Sequence, residues 1–263
     1  MTKIIEVSNL SFGYEQKLIL DNISFSVDKG DFLGIIGPNG SGKSTILKLI
    51  LKMLVPLSGE IKLLGSNLHK FNMWHKIGYV SQKANAFNTS FPATVGEVVG
   101  ANLFSKVGLF KPLQKQHIHK VDHALELVGM QNFKNSLVGN LSGGQQQRVF
   151  IARVLVSDPE IMFLDEPTVG IDAKSEEAVY CLLAKLNKEL GISVVMVTHD
   201  INAITTHASK IACMDDNGLF IHDPKDDFAE EYLSKLYGYA FKKNTHKHCC
   251  DNCCLGLGNK EIV

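Results

Sequence analysis

No stretch of this chain comes near the roughly 18 uninterrupted apolar residues of a membrane-spanning helix. Apolar runs such as Ile46 to Leu57 are broken by Lys48 and Lys52. The start, Met1-Thr2-Lys3-Ile4-Ile5-Glu6, lacks the apolar centre of a secretory leader. The expectation is a cytosolic chain whose dealings with a membrane run through a partner. An excess of one charge is lacking too: 27 basic residues meet 27 acidic ones, which leaves no bulk footprint for nucleic acid. There is no internal repeat and no sustained heptad pattern. Cysteine is scarce until the very end. Of six, Cys181 and Cys213 fall in apolar, periodic segments and read as inert core thiols. With 263 residues, 45% of them hydrophobic, the chain can bury the core of one large domain or two small ones.

What is present begins with Gly37-Pro38-Asn39-Gly40-Ser41-Gly42-Lys43-Ser44-Thr45, a match to the phosphate-binding pattern G-x-x-x-x-G-K-[ST]. The apolar run Phe32-Leu33-Gly34-Ile35-Ile36 before it reads as a buried strand, and Ile46-Leu47-Lys48-Leu49-Ile50-Leu51 after it as a helix. Strand, glycine loop and helix are the context that gives the pattern meaning. A helix start offers unpaired N–H groups and partial positive charge to phosphate, and glycines let the backbone curl close around it. Lys43 adds a full charge, roughly 4 kcal/mol at 4 Å for an effective dielectric of about 20. The Ser44 hydroxyl is placed to meet Mg²⁺.

Before this loop the sequence predicts short β runs at Ile4 to Val7 and Ile23 to Val27, with a turn at Asp28-Lys29-Gly30-Asp31 and an aromatic, Tyr14, that offers a stacking face for a nucleotide base. After it, the helix is expected to reach about Leu54, with Pro56 and Gly59 ending it. Strands follow at Gly59 to Leu64 and Ile77 to Val80, and then Gln82. From residue 84 to about 157 the pattern turns helical. Thr94 and Glu97 have capping-box spacing, and Leu113 to Met130 carries helical periodicity. His117, His119 and His123 lie there; their polar setting reads as a solvated face rather than a metal site.

Leu141-Ser142-Gly143-Gly144-Gln145-Gln146-Gln147-Arg148 opens a second anion-ready helix start, with Ser142 as its cap. One nucleotide on the glycine loop has no evident need for two. Ile161-Met162-Phe163-Leu164 then ends in Asp165-Glu166. Neighbours on a strand point opposite ways, so Asp165 is expected to face Mg²⁺ while Glu166 addresses another point, such as a water. Asp172 caps a helix through Ala178, Leu182, Leu183, Leu186 and Leu190, stopped by Gly191. Ser193 to Val197 reads as a buried strand with Thr198-His199-Asp200 at the end where open α/β sheets bind ligands. A hairpin around Asn217-Gly218 and a closing helix, Asp226 to Tyr237, complete the reading.

Taken together, residues from about 3 to 240 resemble the ATP-binding subunit of an ABC transporter, with motifs in that family's order. Tyr14 stands as the A-loop aromatic, Gly37 to Thr45 as Walker A and Gln82 as the Q-loop. Leu141 to Arg148 stands as the signature, Ile161 to Glu166 as Walker B, Val169-Gly170-Ile171-Asp172 as the D-loop and His199 as the H-loop. The resemblance implies an α/β fold: a P-loop NTPase with a RecA-like core, an N-terminal antiparallel β subdomain and a helical signature subdomain at 84–157, all within an ATPase domain at 1–240. It implies two copies paired head to tail, with ATP between the Walker A of one and Ser142, Gly143, Gly144 and Gln145 of the other. It further implies that Ser44, Gln82 and Asp165 hold Mg²⁺, that Glu166 handles the attacking water, that His199 contacts the γ-phosphate and that Asp172 links the two sites. Implied partners are membrane-spanning permease subunits and, indirectly, a substrate-binding protein, with the chain peripheral on the cytoplasmic side and no nucleic acid involved.

Ser90 to Val99 is similar to a stretch in subunits of zinc and manganese uptake systems, whereas Gly100 to Lys111 departs from it. The implied function is an ATPase driving divalent metal uptake. The alternatives are another small nutrient as cargo, a soluble ABC ATPase of translation or repair, and a metal buffer with a vestigial ATPase. Separate chemistry sits in the tail, 241–263, where His246, His248, Cys249, Cys250, Cys253 and Cys254 suit Zn²⁺ or Cu⁺. Cys250 and Cys253 also have redox spacing.

Overall fold

The computed structural model describes residues 2–15, 17–82, 92–108, 114–215 and 218–223. They form two compact units, one drawn from Met1–Trp74 and from Leu186 onward, the other from His75–Lys185.

The first unit is built on two sheets. β1 (Lys3–Tyr14) and β2 (Lys17–Asp28) form a long antiparallel hairpin, extended by β4 (Ser58–Leu63) and β5 (Ser66–Asn67) in the order β2-β1-β4-β5. The sequence predicted two short runs here. Asn9 and Asn22 adopt left-handed backbone at φ 50 and 51, where the register of the hairpin shifts. Asparagine tolerates that conformation better than most residues. The resulting bulges break the period-2 pattern without ending the strands.

The second sheet of this unit sets β3 (Phe32–Ile36) between β8 (Ser193–Val197) and β9 (Lys210–Asp215), all parallel, with β10 (Gly218–His222) antiparallel on β9. Every residue of β3 and β8 is buried, as befits strands covered on both faces. The predicted hairpin at the end is present; Asn217 itself lies outside the described residues.

Helix α1 (Lys43–Ile50) ends sooner than its apolar pattern suggests. Lys52 turns left-handed at φ 58, its N–H bonds Leu49, and the Met53 N–H reaches back to the carbonyl of Lys48. This is a Schellman stop, and it leaves Met53 54% exposed.

A half-buried ion cluster joins the two sheets. Lys210, at the start of β9, reaches Asp28 Oδ2 at 2.9 Å and Asp31 Oδ2 at 2.8 Å. The hydrogen bond from Lys210 holds Asp28 below the usual carboxylate range, against the opposing effect of burial. Burial works against the charge on Lys210, but Asp31 and Asp28 outweigh it and raise its pKa. A carboxyl whose folded pKa is depressed stabilises the fold above its unfolded value and loses that contribution as pH falls through the folded one. Lys210→Met is therefore expected to lower unfolding free energy by about 1–3 kcal/mol at pH 6. The gap to wild type should narrow toward pH 3, as read by urea denaturation; a gap that does not change with pH would contradict the assignment.

In the second unit β6 (Ile77–Val80) and β7 (Ile161–Asp165) pair in parallel. Around them are α2 (Val95–Gly100), a short α3 (Phe104–Val107), α4 (Lys115–Leu127) and α5 (Gly143–Leu155), followed by α6 (Ala173–Leu190). Helices α2, α4 and α5 pack on one another through residues that include Val99, Val121, Leu125 and Ile151. Helix α2 starts at the expected capping box. The Thr94 Oγ1 accepts from Glu97 N, and Glu97 Oε2 accepts from Thr94 N at 2.8 Å. Its first turn is stitched to the 134–138 segment by Val95 N–H to Ser136 O and Gly96 N–H to Lys134 O. Helix α6 stops at Gly191, φ 66, as read from the sequence. Residues 226–237 and the tail lie outside the described residues. Among the described residues no helix is long and apolar enough to cross a membrane.

Candidate functional site

The residues singled out by the sequence divide between the two units, and each unit sets part of its share at the carboxyl ends of parallel strands, where α/β sheets bind ligands.

In the first unit the chain leaves β3 directly into the glycine loop, and the neighbouring parallel strand β8 ends two residues before His199. Gly37, Gly40 and Gly42 all have positive φ, at 156, 85 and 99. The last two lie in the left-handed region that favours glycine, and at Gly37 a β-carbon would meet the Met214 carbonyl at 2.1 Å. Pro38 and Asn39 fill the turn, and the Ser41 N–H closes on the Pro38 carbonyl. Helix α1 starts at Gly42 with no side-chain cap, in contrast to α2, α5 and α7 (Ile201–His207), whose starts are capped by Thr94, Ser142 and Asp200. A start without an internal acceptor is one that an anionic ligand can cap.

Lys43 is buried, at 5% exposure, and its Nζ donates to Gly37 O at 2.8 Å and Pro38 O at 2.7 Å. Its ammonium thus sits over the loop, fixed by the loop's own carbonyls. The Ser41 hydroxyl is buried and finds no partner among the described residues, an orphan that a phosphate oxygen would satisfy. Ser44 and Thr45 occupy the first turn of α1, Thr45 buried. A cavity of about 380 Å³ opens beside the loop, lined by Lys17, Leu18, Leu20, Gly40, Ser41 and Met214. Tyr14, at the hairpin tip, is 46% exposed and braced edge-on by Phe12. That leaves a ring face open for stacking. His199 is exposed, set between buried Thr198 and Asp200; Asp200 N–H bonds Thr198 Oγ1 and Asp200 Oδ1 caps Ala203.

In the second unit Val80 pairs with Leu164, so Gln82 and the Asp165-Glu166 pair leave neighbouring parallel strands side by side. Asp165 ends β7 with 4% exposure. Tyr79 on β6 has its pKa raised, first by burial and then by the Asp165 charge. Glu166 corrects the sequence reading. It does not continue the strand's alternation: its φ is 46, a left-handed kink just before Pro167. Such backbone costs a non-glycine residue on the order of 1–3 kcal/mol and collects at functional sites. The kink brings Glu166 Oε2 to 2.7 Å from Gln82 Nε2. Sequence reasoning missed this contact, which joins residues 84 positions apart through the register of β6 with β7. Within this unit the Gln82 amide and the buried Asp165 carboxylate are oxygen donors of the kind that suits a hard cation like Mg²⁺.

The signature segment folds as expected. The Ser142 Oγ accepts from Gln145 N and Gln145 Oε1 accepts from Ser142 N at 2.9 Å, while Gln146 Nε2 ties the helix start back to the carbonyls of Val138 and Leu141. Ser142 is exposed and Gly144 buried. Asp172 caps α6 through the Ser175 N–H at 3.0 Å. The Ser175 hydroxyl and that N–H hold its carboxyl below the ordinary value. His119 and His123 are exposed on α4. Cys181 and Cys213 are buried, and burial, helped by Asp215, pushes the Cys213 thiol up to about 12, too high to be a nucleophile at neutral pH. The six tail ligands His246, His248, Cys249, Cys250, Cys253 and Cys254 lie outside the described residues.

The family model described as ABC transporter matches residues 20–169, from the second strand of the hairpin to Val169, just before Gly170. The chain belongs to this family. This cassette is 50% identical over 236 residues to the zinc uptake system ATP-binding protein ZurA of Listeria innocua, covering 90% of each chain. It is 37% identical over 237 residues to the manganese transport system ATP-binding protein MntB of Halalkalibacterium halodurans, covering 90% of the cassette and 93% of that protein. Among solved structures it is similar to the dimeric post-hydrolysis state of the ATP-binding cassette MJ0796 bound to ADP and Pi. The TM-score is 0.71 at 31% identity, over 85% of this cassette and 100% of that one. The cassette is an ATPase with the mixed α/β fold of its family.

Proposed function

We propose that this cassette is the ATP-hydrolysing subunit of an importer of zinc or manganese, peripheral on the cytoplasmic side of the membrane and coupled to separate permease subunits. The observation that carries the cargo is its likeness to ZurA, 50% identity across nine-tenths of both chains. MntB, at 37%, is why manganese stands beside zinc.

In this reading ATP is held by the Walker A loop. The amides of Gly37 to Thr45 and the Lys43 charge meet the phosphates, and Tyr14 stacks on the base. Ser44, Gln82 and Asp165 would hold Mg²⁺, which when bound neutralises phosphate charge. Glu166 orients and deprotonates the attacking water, with Gln82 steadying its carboxylate, and His199 contacts the γ-phosphate. Ser142, Gly143, Gly144 and Gln145 act on the nucleotide of a second copy, and Asp172 connects the two sites. This gives the second anion-ready helix start its use. ATP then closes the pair and hydrolysis lets it open, a cycle that a permease can harness.

The test is metal accumulation in a strain lacking this chain. Uptake of radioactive zinc or manganese at limiting concentration should fall and be restored by the wild-type chain but not by Lys43→Ala. Unchanged uptake of both ions would overturn the cargo assignment.

A further inference from the structure

The two signature glycines lie against the chain's own D-loop. A β-carbon on Gly143 would stand 2.8 Å from Ile171 Cγ2, and one on Gly144 would stand 2.6 Å from Ser175 Cβ and 2.8 Å from Ser175 Oγ. Carbon atoms at those separations overlap. The first turn of α5 therefore rests flush on the turn and first helical turn that follow Glu166. That support is itself fixed: Thr168 Oγ1 donates to Glu176 Oε1 at 2.6 Å, Ser175 N to Asp172 Oδ1 at 3.0 Å and Glu176 N to Asp172 O at 2.9 Å. Ser175 thus touches the signature on one side and Asp172 on the other.

We propose that Ile171 and Ser175 are positioning residues of the ATPase, fixing where the signature helix starts, and that Gly143 and Gly144 must be glycines because these two side chains occupy their space. The signature and Asp172 then move as one piece, so displacing either re-aims both. The proposal deepens the reading above and rests on the signature acting in hydrolysis. Failure of that reading would show as a wild-type chain that does not pair on ATP. Failure of this proposal would show only among variants of a chain that does. The competing explanation is that the glycines merely admit an approaching nucleotide.

The two are separated by rescue. Gly144→Ala overpacks the contact and should lower the hydrolysis rate by about ten- to a hundredfold. Adding Ser175→Gly removes the atom it strikes while keeping the N–H that Asp172 caps. The double variant should recover to within about threefold of Ser175→Gly alone, the non-additivity expected of touching residues. Adding Ser175→Ala instead keeps the β-carbon and should recover nothing. ATP binding to the monomer, read by fluorescent-nucleotide titration, should stay unchanged throughout. Thermal melts accompany each variant. If Gly144→Ala does not fold, a double variant that folds and hydrolyses supports the proposal, and one that does not overturns it. A fully active Gly144→Ala, an inactive Gly144→Ala/Ser175→Gly, or equal rescue by Ser175→Ala would also overturn it.

Discussion

Glu166→Gln is expected to lower steady-state ATP hydrolysis by about 10²–10⁴-fold, the range that a positioned general base contributes, while ATP binding stays within about threefold of wild type. The substitution is nearly isosteric. The amide oxygen of Gln can still accept from Gln82 Nε2, which stands 2.7 Å from Glu166 Oε2. Gln also matches Glu in side-chain shape, so the left-handed φ of 46 gains no added steric cost. The loss would therefore report the missing charge and basicity, not a collapsed loop. Steady-state phosphate release at saturating ATP measures it. A variant hydrolysing at close to the wild-type rate would remove Glu166 from the chemical step and leave the kink without a catalytic explanation.

Lys43→Ala should weaken ATP binding by about ten- to a hundredfold. Replacing charge-assisted contacts to phosphate removes about 1.5–3 kcal/mol, and each 1.4 kcal/mol is about tenfold in affinity. The side chain is 5% exposed and its stem is packed, so truncation also leaves a gap. Lys43→Met separates the two effects, because it keeps the stem and drops the charge. Both variants should lose affinity alike in equilibrium titration. If Met restored binding, packing of the loop rather than charge would be the role of Lys43, and the contacts from its Nζ to the Gly37 and Pro38 carbonyls would be purely structural.

Much of the site was legible because its chemistry is local in sequence. The glycine loop, the capping pairs Thr94-Glu97 and Ser142-Gln145, and the strand ending in Asp165 each fix their geometry within a few residues. What escaped depends on partners distant in sequence or on backbone signs that composition does not show. The long β1–β2 hairpin looks fragmentary in sequence because Asn9 and Asn22 carry left-handed bulges that interrupt its alternation. The apolar pattern carries helix α1 past its true end because the stop is Lys52 in a conformation usually taken by glycine. Gln82 and Glu166 are 84 residues apart. Their meeting follows only from the parallel register of β6 with β7, which no local pattern encodes. The same holds for the seat of Gly144 on Ser175. From the sequence alone those glycines look as if they answer only to a nucleotide.

In the function proposed above, ATP joins two copies of this cassette through the Walker A loop of one and the signature of the other. The most direct measurement is sedimentation of the Glu166→Gln chain with Mg²⁺ and a range of ATP concentrations, beside the same variant carrying Ser142→Arg, which places a bulky cation at the exposed start of α5. The expected result is a monomer without ATP, a dimer with it, and a monomer throughout when Ser142 is replaced. A chain that stays monomeric at saturating ATP, or dimerises equally well with the α5 start blocked, would contradict it.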